Sequence, residues 1–152
     1  MSQTTITQLA EYGQSIWLDY ISCTLIHSGK LQKLIDQGLR GMTSNPSIFN
    51  QAISQSSDYD QQILELKSND CSTFDIYDTL SIKDIQDAAD KFLAVYQQTN
   101  GLDGYVSLEI NPSFSHETEK IVAEARKTWT AVNRPNLMVK IPATESGISA
   151  VR

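Results

Sequence analysis

The spacing of apolar residues changes several times along the chain, and this alternation predicts strands separated by helices. Apolar stripes at helical spacing predict helices over residues 4–13, Ser28–Gln37, Ser81–Gly101 and Ser115–Val132, with a further helix beginning after Thr144. Short apolar runs predict four strands, at Ser15–Ile21, Leu39–Asn45, Gly104–Ile110 and Asn136–Pro142. Residues 46–67 are expected to form two helical pieces broken around Ser54–Ser57, and the polar segment Lys67–Asp75 is predicted to be a loop.

Strands that alternate with helices imply βαβ units and a parallel sheet, so the fold class is α/β. Two architectures compete: a small doubly wound sheet, or the first four β/α units of a (β/α)8 barrel, which typically takes about 250 residues. The last predicted helix stops after roughly one turn, which favours residues 1–152 as the N-terminal half of a barrel domain. The core is expected to include six large side chains, those of Trp17, Met42, Phe92, Tyr96, Trp129 and Met138.

Composition narrows the class of protein. The 152 residues carry 12 basic and 18 acidic side chains and no basic cluster, which argues against nucleic-acid binding. No apolar stretch approaches the ~20 residues of a membrane span. Two cysteines without a CxxC pair, and an N-terminus without the layout of an export signal, predict a cytoplasmic protein. The two histidines lack metal-ligand spacing, so we expect no metal site and no metal cofactor.

Polar side chains stand near the carboxyl end of each predicted strand: Asp19, Asn45, Glu109 and Lys140. In parallel α/β folds, catalytic groups come from the carboxyl ends of several strands. The two-residue period of a strand places Lys140 on the same face as Met138, and Glu109 on a polar face opposite an apolar one. We therefore expect helices outside and a polar barrel mouth inside.

Lys140 is flanked by Met, Val, Ile and Pro, and loss of hydration there favours the neutral amine that attacks a carbonyl to form a Schiff base. The alternative is a lysine that reaches water or pairs with Glu109. Asp19 and Glu109 suit the proton transfers of such chemistry, or structural salt bridges. Asn45 either orients substrate hydroxyls or serves the turn before a proline, and Thr43 is open in the same way.

The segments Trp17-Leu18-Asp19, Thr43-Ser44-Asn45-Pro46-Ser47, Ser107-Leu108-Glu109 and Lys140-Ile141-Pro142-Ala143-Thr144 together resemble transaldolase. The resemblance is to the longer bacterial branch, sometimes fused to glucose-6-phosphate isomerase. It runs from about residue 12 to the end of the chain and covers the first half of the family's TIM barrel.

The resemblance implies an enzyme of the non-oxidative pentose phosphate pathway that transfers a dihydroxyacetone unit between sugar phosphates without cofactor or metal. By matching motifs, Lys140 forms the Schiff base, Asp19 is the acid/base at the cleaved bond, and Glu109 works through a water on the imine. Asn45, with Thr43, holds the dihydroxyacetone portion.

Two alternatives stay open beside transaldolase. Another class I aldolase is one, although a tyrosine in place of Glu109 would be expected for a fructose-6-phosphate aldolase. A noncatalytic α/β module that binds a sugar phosphate or a partner is the other. The resemblance to transaldolase also implies that the groups that bind substrate phosphate lie on strands five to eight. We therefore expect the isolated chain to be inactive unless the missing C-terminal half, or a second copy, joins it.

Overall fold

The computed structural model describes residues 5–152. The strands are β1 (Trp17–Asp19), β2 (Gly41–Thr43), β3 (Tyr105–Glu109) and β4 (Leu137–Lys140). The helices are α1 (Thr5–Ala10), α2 (Cys23–His27), α3 (Lys30–Asp36), α4 (Pro46–Ser54), α5 (Asp60–Ser68), α6 (Thr73–Gln98), α7 (Thr118–Val132) and α8 (Glu145–Val151). Two 3-10 turns are present as well, at Ser57–Tyr59 and Pro112–Phe114. No helix in this described range is long and apolar enough to cross a membrane.

The four strands form one parallel sheet in the order β1-β2-β3-β4, so each strand pairs with the next one along the chain. Residues 44–104, with α4, α5 and α6, connect β2 to β3, and this connection is much longer than the other two. The predicted α/β class and the four β/α units are confirmed. The barrel is not closed, because β1 and β4 are the two edges of this sheet.

The two faces of the sheet differ as the two-residue period predicted. One face carries apolar side chains against the helices, and Met42 and Val106 are fully buried there. The register places Trp17, Thr43, Glu109 and Lys140 on the opposite face. Gly41 lies on that face too, and a Cβ at this position would come within 2.3 Å of the Trp17 ring. The open face is therefore the one that a closed barrel would turn inward.

Two of the large side chains expected in the core are exposed. Met138 is 42% exposed because it shares the open face with Lys140, and Trp129 is 49% exposed on α7. Phe92 and Met42 are fully buried as predicted. The prediction was wrong for Met138 and Trp129 because apolar spacing identifies one face of a strand or helix without showing which element covers that face.

The longest helix, α6, begins eight residues before the predicted start at Ser81. Ser72 caps it: the Ser72 hydroxyl accepts from the backbone N–H of Asp75, whose carboxylate accepts in return, forming a capping box. The predicted loop Lys67–Asp75 is thus wrong at both ends, since α5 runs to Ser68. Ser81 and Asp84, which imitate a second capping box, are instead buried inside the helix.

Smaller differences concern the ends of elements. The strands are shorter than the apolar runs, and α2 was not predicted. Ser115 was expected to cap α7, but it follows the 3-10 turn, and α7 begins at Thr118. The break expected around Ser54–Ser57 is confirmed, since α4 ends at Ser54. Residue 4, the expected start of the first helix, and the N-terminus examined for an export signal lie outside the described residues.

Candidate active site

The predicted site residues lie at the carboxyl ends of the strands. Asp19, Thr43, Glu109 and Lys140 are the last residues of β1, β2, β3 and β4. The register pairs Asp19 with Thr43 and Glu109 with Lys140, which places all four on the open face. Asn45 follows two residues after β2. The structure thus places the residues that the sequence singled out at the same end of the sheet and brings Glu109 and Lys140 into contact, while their chemical roles stay a prediction.

Lys140 and Glu109 form an ion pair, with Nζ and Oε2 3.3 Å apart. The same Nζ donates to the backbone carbonyl of Ser44 at 2.8 Å. The Lys140 side chain is 38% exposed and that of Glu109 25%, so solvent and small molecules reach both. The pairing foreseen as an alternative is therefore present, and it also sets a carboxylate where it can exchange protons with groups bound to the amine.

The carbonyl that contacts Lys140 is held by hydrogen bonds between β2 and β3. The Ser44 hydroxyl, fully buried, donates to the carbonyl of Ser107 at 2.7 Å. The Ser107 hydroxyl donates to Oγ1 of Thr43 at 2.8 Å. These two bonds fix the backbone after β2, and they direct the Ser44 carbonyl toward the ammonium on β4.

Asn45 has a structural role that the sequence had left as an alternative. It is the N-cap of α4, and its Oδ1 accepts from the backbone N–H of Ile48 at 2.9 Å, with Pro46 at the first helical position. This cap does not use the side-chain NH2 group. A donor thus remains at the carboxyl end of β2, beside the open face.

Asp19 is exposed at the end of β1 and does not take part in the Lys140 ion pair. Three strand spacings of about 4.8 Å each separate β1 from β4 along the sheet. The predicted catalytic set therefore spans the whole described sheet, wide enough for a substrate of several carbon atoms. Among residues 5–152, no group of three or more His, Cys, Asp or Glu side chains is placed to hold a metal ion.

Comparison with known proteins decides the family. Residues 16–152 match the family described as transaldolase/fructose-6-phosphate aldolase. The chain belongs to this family. The resemblance to transaldolase, carried by motifs around Asp19, Asn45, Glu109 and Lys140, is confirmed.

Curated relatives agree with the family match. A transaldolase of Saccharopolyspora erythraea is 47% identical over 151 residues, which are 99% of this chain and 41% of that protein. A transaldolase of Trichodesmium erythraeum is 44% identical over 147 residues, 96% of this chain and 39% of that protein. A transaldolase of Neisseria meningitidis is 38% identical over 148 residues, 97% of this chain and 42% of that protein. The chain thus spans about two fifths of the length of these transaldolases.

Within this transaldolase-family site, the sequence analysis quoted Ser107 and Ser44 in the matching motifs but assigned neither of them a role. Ser107 stands two residues before Glu109, so the period that placed Glu109 on the open face places Ser107 there as well. No sequence pattern could have indicated the hydrogen bond of Ser44, because its acceptor is a carbonyl on a strand more than sixty positions away in the chain.

A cavity of about 260 Å³ lies next to the site. It opens between α6, α7 and the end of β3, and its lining includes Glu109, Tyr77 and Asp78. Burial raises the pKa of Asp78. The ion pair with Lys127, at 3.3 Å, partly offsets this rise. The cavity extends the surroundings of Glu109 from the open face toward the helix layer.

Proposed function

We propose that this chain carries the N-terminal half of a transaldolase active site in which Lys140 forms a Schiff base with substrate. The reaction is transfer of a dihydroxyacetone unit from sedoheptulose 7-phosphate to glyceraldehyde 3-phosphate, within the non-oxidative pentose phosphate pathway of the cytoplasm. The observation that carries the proposal is the Lys140–Glu109 pair at adjacent strand ends, in a chain of the transaldolase/fructose-6-phosphate aldolase family.

The first step uses the pair directly. Glu109, 3.3 Å from Nζ, takes one proton from the Lys140 ammonium, and the freed amine adds to the ketone carbon of the donor sugar. A second proton moves from the nitrogen to the carbonyl oxygen, giving a carbinolamine. Glu109 then returns the first proton to that oxygen, which leaves as water and leaves a protonated imine. The Ser44 carbonyl, as an acceptor at 2.8 Å, orients the amine before the attack.

Bond cleavage requires a base at the far side of the substrate. Asp19 takes the proton of the hydroxyl next to the scissile bond, the carbon–carbon bond breaks, and its electron pair moves to the imine nitrogen to give an enamine. The aldehyde departs, the acceptor aldehyde adds in the reverse sense, and water hydrolyses the imine. Asn45, through its free NH2 group, and Thr43 would hold the dihydroxyacetone hydroxyls.

The complete reaction needs more than the described residues. Two sheet edges are open, Met138 on β4 is 42% exposed, and Ile148 and Val151 on α8 are 52% and 73% exposed. We propose that the 152 residues alone are inactive or nearly so, and that the second half of a barrel or a second copy of this chain completes the site.

Borohydride trapping tests the assignment of Lys140. The chain is incubated with fructose 6-phosphate, reduced, and digested for mass spectrometry of the lysine peptides. A reduced adduct on Lys140 is expected, absent in Lys140→Ala and unchanged in Lys91→Ala, an exposed lysine on α6. The proposal fails if no adduct forms either on this chain or on a longer version carrying all eight strands.

A further inference from the structure

A loop of three residues joins Asp19 to the first turn of α2, and it has little freedom. Ile21 is fully buried in the core. Ser22 caps α2, and its hydroxyl accepts from the backbone N–H of Leu25 at 3.2 Å. A shift of this loop would carry Asp19 with it, because only Tyr20 lies between the strand end and these two anchors.

A third anchor comes from distant parts of the chain. The backbone N–H of Cys23 donates to the Tyr59 hydroxyl at 2.8 Å, and that hydroxyl donates to Oδ2 of Asp84 at 2.6 Å. Tyr59 is 1% exposed and Asp84 is 4% exposed. The Tyr59 hydroxyl thus uses its acceptor and its donor at once, linking the start of α2 to the middle of α6.

We propose that Tyr59 and Asp84 are positioning residues for Asp19, holding the loop at residues 20–22 through the amide of Cys23. The inference rests on the role proposed above for Asp19. Tyr59 also ends the 3-10 turn that follows α4, the helix capped by Asn45. One hydroxyl therefore ties the β1 and β2 sides of the site to the same helix.

The chemistry of the pair fits positioning better than plain packing. A buried carboxylate costs free energy that a leucine would avoid. Its presence therefore indicates that its hydrogen bond serves a purpose that leucine could not. A hydrogen bond to a charged acceptor is stronger and more directional than a neutral one. The groups facing Asp84 include Lys83 and Asp87 on α6, His27 and Cys23 on α2, and the Tyr59 hydroxyl. Tyr59 is its direct partner.

Tyr59→Phe removes the hydroxyl and keeps the buried ring. We expect amide hydrogen exchange at residues 20–23 to accelerate about tenfold, the effect of losing one hydrogen bond. Tyr105→Phe is the matched control, since the Tyr105 hydroxyl makes a bond of similar length, 2.7 Å, to the carbonyl of Gly101. It should leave exchange at residues 20–23 unchanged. Equal exchange in Tyr59→Phe and the parent would overturn the proposal.

Substitutions at Asp84 separate positioning from general stabilisation. Asp84→Asn keeps an acceptor oxygen for Tyr59 and should preserve slow exchange at residues 20–23. Asp84→Leu fills the space without an acceptor and should accelerate exchange there. If both variants change exchange only in proportion to their global unfolding in urea, the pair is structural and the proposal is wrong.

A second readout follows the chemistry at Asp19 in a longer version of the chain that carries all eight strands. Fructose 6-phosphate trapped on Lys140 gives a six-carbon adduct before cleavage and a three-carbon adduct after it, and the two differ in mass. Tyr59→Phe should lower the three-carbon share about fivefold to tenfold with total adduct unchanged, as a weaker form of Asp19→Asn. An unchanged share would contradict positioning. If neither this chain nor the longer version gives an adduct, the Lys140 proposal fails, and hydrogen exchange alone decides on Tyr59.

Discussion

Asp84 offers a prediction whose size follows from the structure. Its carboxyl is 4% exposed, and burial, with the nearby charge of Asp87 adding to it, raises its pKa from 3.8 to about 6. The hydrogen bond from Tyr59 and the charges of His27 and Lys83 act in the opposite direction. At neutral pH the carboxylate is ionised at a free-energy cost that the unfolded chain does not bear.

The sign and magnitude follow from proton linkage. Because the folded pKa is the higher one, the folded protein binds more protons between pH 4 and 6, and its stability falls as the pH rises through that window. Raising the pKa of this carboxyl from 3.8 to about 6 corresponds to about 3 kcal/mol. Asp84→Asn removes the charge and keeps an acceptor for Tyr59. It should therefore raise the free energy of unfolding by about 1–3 kcal/mol above pH 7, with the gain vanishing near pH 4.

Urea unfolding, followed by tryptophan fluorescence between pH 4 and 8, measures this difference. Asp90→Asn is a suitable control, since Asp90 lies on the same helix with a side chain 47% exposed and should show no comparable rise. A difference between Asp84→Asn and the parent that stays constant with pH would refute the linkage. An asparagine variant less stable than the parent at every pH would show that the charged hydrogen bond outweighs the cost of burial.

Three further substitutions test the packing beneath the site. Asn136 is fully buried, and its NH2 group donates to the carbonyls of Ala89 and Gly104, both at 2.8 Å. Asn136→Asp should therefore lower the free energy of chemical unfolding by about 3–5 kcal/mol. A loss below about 1 kcal/mol would contradict this expectation. Gly104 has φ +87, and a Cβ there would lie 2.3 Å from the backbone nitrogen of Tyr96. Gly104→Ala should therefore lower the free energy of unfolding by more than about 2 kcal/mol. An unchanged unfolding midpoint would show that the backbone can move to accept the methyl group. Ser72→Ala removes the cap of α6 and should cost about 1 kcal/mol in thermal unfolding, and an unchanged melting temperature would count against the capping box.

The placement of the site could be predicted from the sequence because it depends on a short-range rule. Side chains alternate along a strand, and parallel strands bring their carboxyl ends to one edge. Glu109 and Lys140 therefore had to share a face if both strands existed, and the register confirms it. Their separation of 3.3 Å, by contrast, depends on how the two strands are staggered.

The errors arise where a local signal has two solutions. The Ser-x-x-Asp pattern occurs at Ser72 and again at Ser81, and either could begin a helix. The structure uses the first, and it buries Asp84 of the second against Tyr59. That contact joins a residue of the 3-10 turn to one of α6, so no spacing along the chain could reveal it. The prediction that Trp129 is in the core was wrong for a related reason, because the apolar character of a residue does not show which neighbour covers it.

The strand order has a consequence for how the protein folds. Each strand pairs with its predecessor in the chain, so the sheet can grow from β1 toward β4 as the polypeptide leaves the ribosome. The slowest addition should be that of β3, because residues 44–104 must close a connection roughly three times as long as residues 20–40. That closure costs only about 1 kcal/mol more in chain entropy. During synthesis the β1–β2 pair should therefore have only the helices that precede α6 to cover its apolar face, and α6 then brings β3 with it.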